Sequence, residues 1–232
     1  MGVKSVYAIK KGIYFLLILF ISNSSYGQFY QGLEAGAYST NASFMSGESS
    51  EPSSTFGFSV GYIAERDLSE NLYVKVAILA NKRGFNAVNK RGINTTDEKW
   101  RLNVIEIPIN LGYYLNWNNR NRQIFLEGGL TFDYNGRAFI KNDTETITLD
   151  IGSEASVKRI STGVNIGAGL LFSKRIKVRL NYYHGLSNVL ITEGDEWKNR
   201  GFGISCNYFL KKRELHLVII ADVYSFNTLI CR

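Results

Sequence analysis

Few side chains in this sequence have the chemistry to make or break bonds, and the nearest pair is His184 and Ser187. A His and a Ser on one face would suit acyl transfer on a lipid ester, the ring taking the proton from an attacking hydroxyl. Three residues apart in a segment of alternating polarity, they fall on opposite parities, so their side chains diverge. No Asp stands beside His184 to orient its ring, and the parity reads it as an interfacial His. Asp143, Glu145 and Asp150 alternate with Thr and Ile without the spacing of a calcium loop, so a solvated loop or hairpin tip is expected there. Cys206 and Cys231 have no zinc-site spacing, and no structural bridge is expected between them. No catalytic residue, metal ligand or cofactor site is assigned. The triplets beginning at Asn41, Asn94 and Asn142 match a glycosylation acceptor but presuppose a eukaryotic secretory route and are discounted.

The remaining candidates are seven ionisable residues, Glu34, Lys75, Glu106, Glu127, Asp133, Lys177 and Arg179, which share the polar parity of their segments. Mixed in sign and enclosed, such groups need one another to offset desolvation, which predicts an ion-pair and hydrogen-bond network with a structural role. The functional alternative is a polar conduit or a proton-linked site.

What positions them is a series of segments with apolar residues at every second place, the two-residue period of a strand with unlike faces. Eight strands are expected near 31–39, 55–65, 71–82, 101–115, 123–135, 157–172, 176–187 and 200–210, bounded by Asn, Gly, Ser, Asp or charged clusters. In the fourth, Ile105, Ile107, Ile109, Leu111, Tyr113 and Leu115 oppose Glu106, Pro108, Asn110, Gly112 and Tyr114. The links at 40–54, 83–100, 136–156 and 188–199 are long and polar, while 66–70, 116–122 and 173–175 are short. Outer-membrane barrels show this asymmetry, with tight periplasmic turns and larger outside loops.

Alternation alone does not say which face points outward, and a soluble periplasmic barrel binding an apolar ligand would share the period. Three features favour apolar-outward. The polar face is rich in Gly, Asn, Ser and Tyr and poor in the Lys and Glu that solvate an exposed sheet. Tyr62, Tyr113, Phe132, Tyr134, Phe172, Tyr182 and Tyr208 lie on the apolar parity, mostly near strand ends where interfacial girdles belong, and Trp100, Trp117 and Trp197 sit in or beside connections at the same level. No charge interrupts the apolar stripes in mid-strand, where a lipid-facing Lys or Arg would cost roughly 2 to 4 kcal/mol. The expected fold is therefore all-β, an eight-stranded antiparallel up-and-down transmembrane β-barrel, too narrow for an open aqueous channel.

Composition agrees. The 232 residues suit one all-β domain. Residues 1–27 read as a signal peptide, with Lys4, Lys10 and Lys11, the apolar run Ile13 to Ile21, and Ser25-Tyr26-Gly27 before an expected mature start at Gln28. The run is too short to span a bilayer as a helix, and no Cys follows it to carry a lipoprotein anchor. Removing it leaves 24 basic against 20 acidic residues, a formal +4, scattered rather than gathered into the patch that nucleic acid requires. The barrel domain is expected over 28–210 and a tail of unassigned structure over 211–232.

The stretch Ile105-Glu-Ile-Pro-Ile-Asn-Leu-Gly-Tyr-Tyr114, the segment Tyr182-Tyr-His-Gly-Leu-Ser-Asn188 and the Gly-rich strand Gly201 to Phe209 resemble the PorT-like outer-membrane β-barrel family common in Bacteroidetes. The resemblance covers nearly the whole mature chain. It implies an eight-stranded barrel in the outer membrane with no shared catalytic residues, and one branch is similar to an accessory factor of type IX protein secretion. One departure is that the chain runs on past the aromatic ending Tyr208-Phe209 through Lys211-Lys212-Arg213 to Arg232. The functional expectation is a non-enzymatic monomer with a structural, adhesive or accessory role, in contact with outer-membrane lipid and with envelope or extracellular proteins through its loops. A lipid-modifying enzyme is the remaining alternative.

Overall fold

A computed structural model describes residues 28–45, 52–91, 94–115, 123–142, 144–152, 156–191 and 196–213. The expected signal peptide, most of the expected tail, Trp117, Asp143 and Cys231 lie outside the described residues. The strands are β1 (Phe29–Met45), β2 (Thr55–Asp67), β3 (Leu72–Arg91), β4 (Asn94–Leu115), β5 (Gln123–Lys141), β6 (Thr146–Leu149), β7 (Ile160–Ser173), β8 (Ile176–Gly185) and β9 (Glu196–Phe209). Each neighbour pair is antiparallel, and β4–β5 together with β1–β9 pairing closes a ring of eight: β1, β2, β3, β4, β5, β7, β8 and β9. The short β6 stands outside the ring and pairs with β5 alone, from Ala138 to Lys141.

Closure leaves no unpaired edge around the ring, which is the condition for strands to cross lipid, where no water can serve an exposed backbone group. The alternation then sorts the faces. Ile105, Ile107, Ile109, Leu111, Tyr113 and Leu115 point outward and are exposed, as are Val60, Leu126, Leu130, Ile166, Leu180 and Ile204 on other strands, while Glu34, Lys75, Asn110, Glu127 and Asn165 point inward and are buried. The eleven residues from Ile105 to Leu115 match the length a tilted strand needs to cross the hydrocarbon layer. This is the reverse of a soluble barrel with an apolar lumen.

Inward glycines make room for inward rings. A Cβ on Gly112 would stand 2.0 Å from Tyr73 Cζ, and one on Gly203 would stand 2.1 Å from Tyr38 Cδ1, each across a strand pair. The Gly/Tyr-rich polar parity is thus a packing code for a narrow lumen.

Several strands run further than expected. β3 and β4 continue to Arg91 and from Asn94, so residues 83–100 are mostly a paired hairpin rather than a loop; β1 reaches Met45 and β5 reaches Lys141, and β9 begins at Glu196. In these extensions the inward residues turn apolar. Ala42, Phe85, Ala87, Leu102, Val104, Ala138, Val157 and Trp197 form one buried cluster with Val189 and Leu190. Trp197 is fully buried there, and Trp100 packs against the cluster, stacked on Phe85 at 5.6 Å and edge-on to Trp197 at 5.6 Å. Neither is a lipid-facing girdle residue, which corrects the expectation for both: the barrel wall continues past the bilayer and the two rings fill its end. A second cluster closes the opposite end, built from Tyr30, Ile63, Tyr73, Ala77, Leu79, Tyr114, Phe125, Leu171 and Phe209.

Candidate functional site: the charged interior

Between the two apolar clusters the lumen is filled with charge. Among the described residues five buried carboxylates, Glu34, Glu65, Glu106, Glu127 and Asp133, share it with five buried cations, Lys75, Arg83, Lys177, Arg179 and Arg213, all between 0 and 7 % exposed. Each side chain points inward because it sits at the inward parity of its strand; Arg213, beyond β9, arrives by a turn of the chain.

Glu127 on β5 is the hub. Its carboxylate takes Lys75 Nζ at 2.6 Å and the Arg179 guanidinium on one oxygen, the Tyr73 hydroxyl at 2.8 Å on the other, and Asn110 Nδ2 at 3.2 Å. Glu34 on β1 completes this group, bound by Arg179 at 2.8 Å and with Lys75 at 3.6 Å. Lys177 joins it to the end bearing the short turns, lying 3.4 Å from Glu127 and 3.0 Å from Glu65, with its ammonium over the Tyr73 and Phe125 rings. Desolvating such charges costs several kcal/mol per ion, which multiple charge-assisted partners and ring faces offset.

A second group sits nearer the opposite end. Arg83 bridges Glu106 and Asp133, the latter at 2.6 Å, and its guanidinium stacks 3.8 Å over the Tyr183 ring. Asn81 Nδ2 donates to Glu106 at 2.6 Å, and the Tyr183 hydroxyl donates to Asp133 at 2.6 Å. Between the groups lies a cavity of about 20 Å³, walled by Tyr38, Asn81, Glu106, Asn165, Arg179 and Asn181, room for roughly one water molecule.

The seven residues singled out from sequence thus fall into two sets: Glu34, Lys75, Glu127, Lys177 and Arg179 in one network, Glu106 and Asp133 in the other. The sequence reading did not include Glu65, Arg83 or Arg213. Glu65 shares the inward parity with Ile63, a signal that was available, while Arg83 lay one residue past the expected end of its strand. Arg213 follows a strand end and carries no periodic signal. It inserts between Glu65 and Asp67, 2.5 Å from the latter, with its guanidinium 4.3 Å over the Tyr30 ring.

His184 points outward and is exposed, with its ring beside Tyr182. Ser187 Oγ accepts from the Thr162 backbone N–H at 2.8 Å. The two do not converge. Glu145 and Asp150 are exposed, and no group of three potential metal ligands occurs among the described residues. Cys206 is a free, outward-facing thiol.

Residues 20–190 match a family described as the outer membrane protein beta-barrel domain. No curated protein matches the sequence. Among solved structures, the chain is similar to Neisserial surface protein A (17% identity, TM-score 0.43, 78% of this chain and 97% of that one). It is also similar to Ail, the attachment invasion locus protein of Yersinia pestis, seen in complex with the heparin analogue sucrose octasulfate (12% identity, TM-score 0.40, 78% and 99%). A third is OprG from Pseudomonas aeruginosa (10% identity, TM-score 0.40, 77% and 96%).

Proposed function

Starting from the fact that the chain belongs to the outer membrane protein β-barrel domain family and resides in the outer membrane, we propose that it is a closed, non-conducting and non-enzymatic barrel whose working surface is the end bearing the long connections. The observation that carries this reading is the lumen. Charge-balanced ion pairs fill its middle, an aromatic and an apolar cluster close its two ends, and the cavity between the ion-pair groups has room for about one water. Eight strands give a lumen that side chains can fill, and here they do.

The network of Glu34, Lys75, Glu106, Glu127, Asp133, Lys177 and Arg179 is, in this reading, a scaffold. It locks the strands in register so that the outside connections are held rigidly for structural, adhesive or accessory contacts with envelope or extracellular proteins, by a monomer set in lipid. The divergence of His184 and Ser187 supports the non-enzymatic assignment. The secretion role carried by one branch of the PorT-like proteins draws on no residue of this structure, and unchanged cargo export on deletion removes it.

Planar-bilayer recording of the folded, purified protein tests the closed state, with conductance expected at the level of protein-free membrane. Sustained channel steps overturn it. In a Cys206→Ser/Cys231→Ser background, Thr144→Cys on intact cells is expected to take an impermeant maleimide, and protection of that thiol overturns the outward orientation.

A further inference from the structure

Where the strands leave the apolar band, one sector of the barrel's outer surface carries a set of cations with no ion-pair partner among the described residues. Lys82 on β3, Asn103 on β4 and Arg137 on β5 stand side by side in register. Two strand spacings put the Lys82 and Arg137 backbones about 10 Å apart, close enough for two long side chains to meet on one ligand. Arg101 and then Lys99 follow outward along β4, and Lys99 pairs directly with Lys141 of β5. Immediately below the row the same face is Ala80, Ile105 and Tyr134.

Three observations point to a ligand. First, folding alone disfavours this arrangement, since like charges directly opposite across strands repel. Among the described residues Lys82, Lys99, Arg137 and Lys141 have no carboxylate within ion-pair distance, and Asp97, one step beyond Lys99, is the single acidic residue on the outward face of β3, β4 and β5. Second, a β-bulge creates the site. The register shift opposite Asn103 and Val104 puts Gly136 and Arg137 both outward, whereas Asp133, Asn135 and Ala138 face in. With unbroken alternation Arg137 would point into the lumen; bulges re-aim side chains in this way. Third, the sector is denser in cations than β9 and β1. β9 presents Arg200 beside a Lys198 that Glu196 neutralises at 2.9 Å, and β1 presents Ser39, Asn41 and Ser43. Arg101 is held in place by hydrogen bonds to the Phe85 and Trp100 carbonyls and to Asn86 Oδ1, so its charge is pre-oriented.

We propose that Lys82, Arg101, Arg137, Lys99 and Lys141 form a binding site on the barrel's outer wall for the phosphorylated headgroup of an outer-leaflet glycolipid. The chemistry fits the depth: acyl chains lie against Ile105 and Tyr134 while phosphates, which lysines and arginines clamp through charge-assisted hydrogen bonds, meet the cations one row higher. The assignment goes beyond the loop-surface reading. It rests on the outward orientation of the long connections, which the maleimide experiment tests separately.

The test uses the folded full-length mature protein in neutral detergent, with bisphosphorylated lipid A, its dephosphorylated form and heparin as separate probes. Lipid A is expected to bind the native protein and to lose at least tenfold in affinity against Lys82→Gln/Lys99→Gln/Arg137→Gln/Lys141→Gln, with the dephosphorylated form binding no better than to that variant. Equal binding of the native protein and the variant, or of the two lipid forms, overturns the proposal. Heparin binding that the substitutions abolish, with no binding of lipid A, overturns it in favour of a soluble polyanion. Retained heat-modifiable mobility shows that the variant is folded. Should it fail to fold, Lys99→Gln/Lys141→Gln, which relieves a like-charge pair, carries the same measurement with a loss of at least threefold expected.

Discussion

The same strands obey opposite rules at two heights. Through the bilayer, β3 places Val74, Val76 and Ile78 outward and Lys75 and Asn81 inward; past Arg83 it places Asn86 outward and Phe85 and Ala87 inward. β4 inverts across Asn103 and Val104, with Ile105 and Ile107 outward below and Lys99 and Arg101 outward above, where Leu102 and Val104 face in. β5 inverts at its bulge and β9 near Asn199, above which Trp197 is inside. The period never changes; the solvent does. Lipid demands an apolar exterior and leaves the interior to charge, while water reverses both demands.

The largest effect should come from the lower region. Glu127→Ala leaves Lys75, Lys177 and Arg179 short of their shared carboxylate, and should cost about 3 to 5 kcal/mol. Urea titration of folding into lipid vesicles, followed by heat-modifiable mobility, reads this directly. Losses below about 1 kcal/mol would mean that the charges are not interdependent. A cut of roughly 3 kcal/mol is expected from Trp197→Ala, which empties the centre of the upper cluster. If that variant instead matches the native midpoint, the extensions do not contribute to the folded barrel.

The inversion itself is sharpened by a matched pair. Ile107→Lys places a charge against hydrocarbon and should cost about 2 to 4 kcal/mol, whereas Lys99→Ile, on the same outward face of β4 above the boundary, should move the midpoint by no more than about 0.5 kcal/mol. Comparable losses at both positions would remove the boundary between them. Among the interior charges the smallest effect is expected at Arg213→Ala. Lys177 still holds Glu65 there, and the loss should be about 1 to 3 kcal/mol, appearing as easier unfolding of the short-turn end in hydrogen exchange.

The inversion also explains what was legible in the sequence. Ring size, strand order and the outward stripe follow from alternation and from short turns such as Lys174-Arg175, because lipid imposes one rule over a fixed length. The extensions did not read as strands because a rule calibrated on apolar-out breaks at Lys82, and Asn86, Asn89 and Lys90 look like loop punctuation when the partner strand is unknown. Of the interior charges, eight share the polar parity of the expected strands, Glu65 among them, but pairing leaves no such mark: Glu34 and Arg179 meet across 145 residues. Arg83 was hidden by the misplaced strand end. Arg213 was hidden because a residue that turns inward after a strand leaves no periodic trace.

That long-range pairing sets the order of assembly. Arg179 and Lys177 on β8 reach Glu34 on β1 and Glu65 on β2 only when β1 and β9 meet, so an unclosed sheet leaves these pairs unmade on the face that later becomes the lumen. Closing the seam is therefore what completes the neutralisation of the interior. Half-built forms have no comfortable resting state, and insertion is expected to be all-or-none.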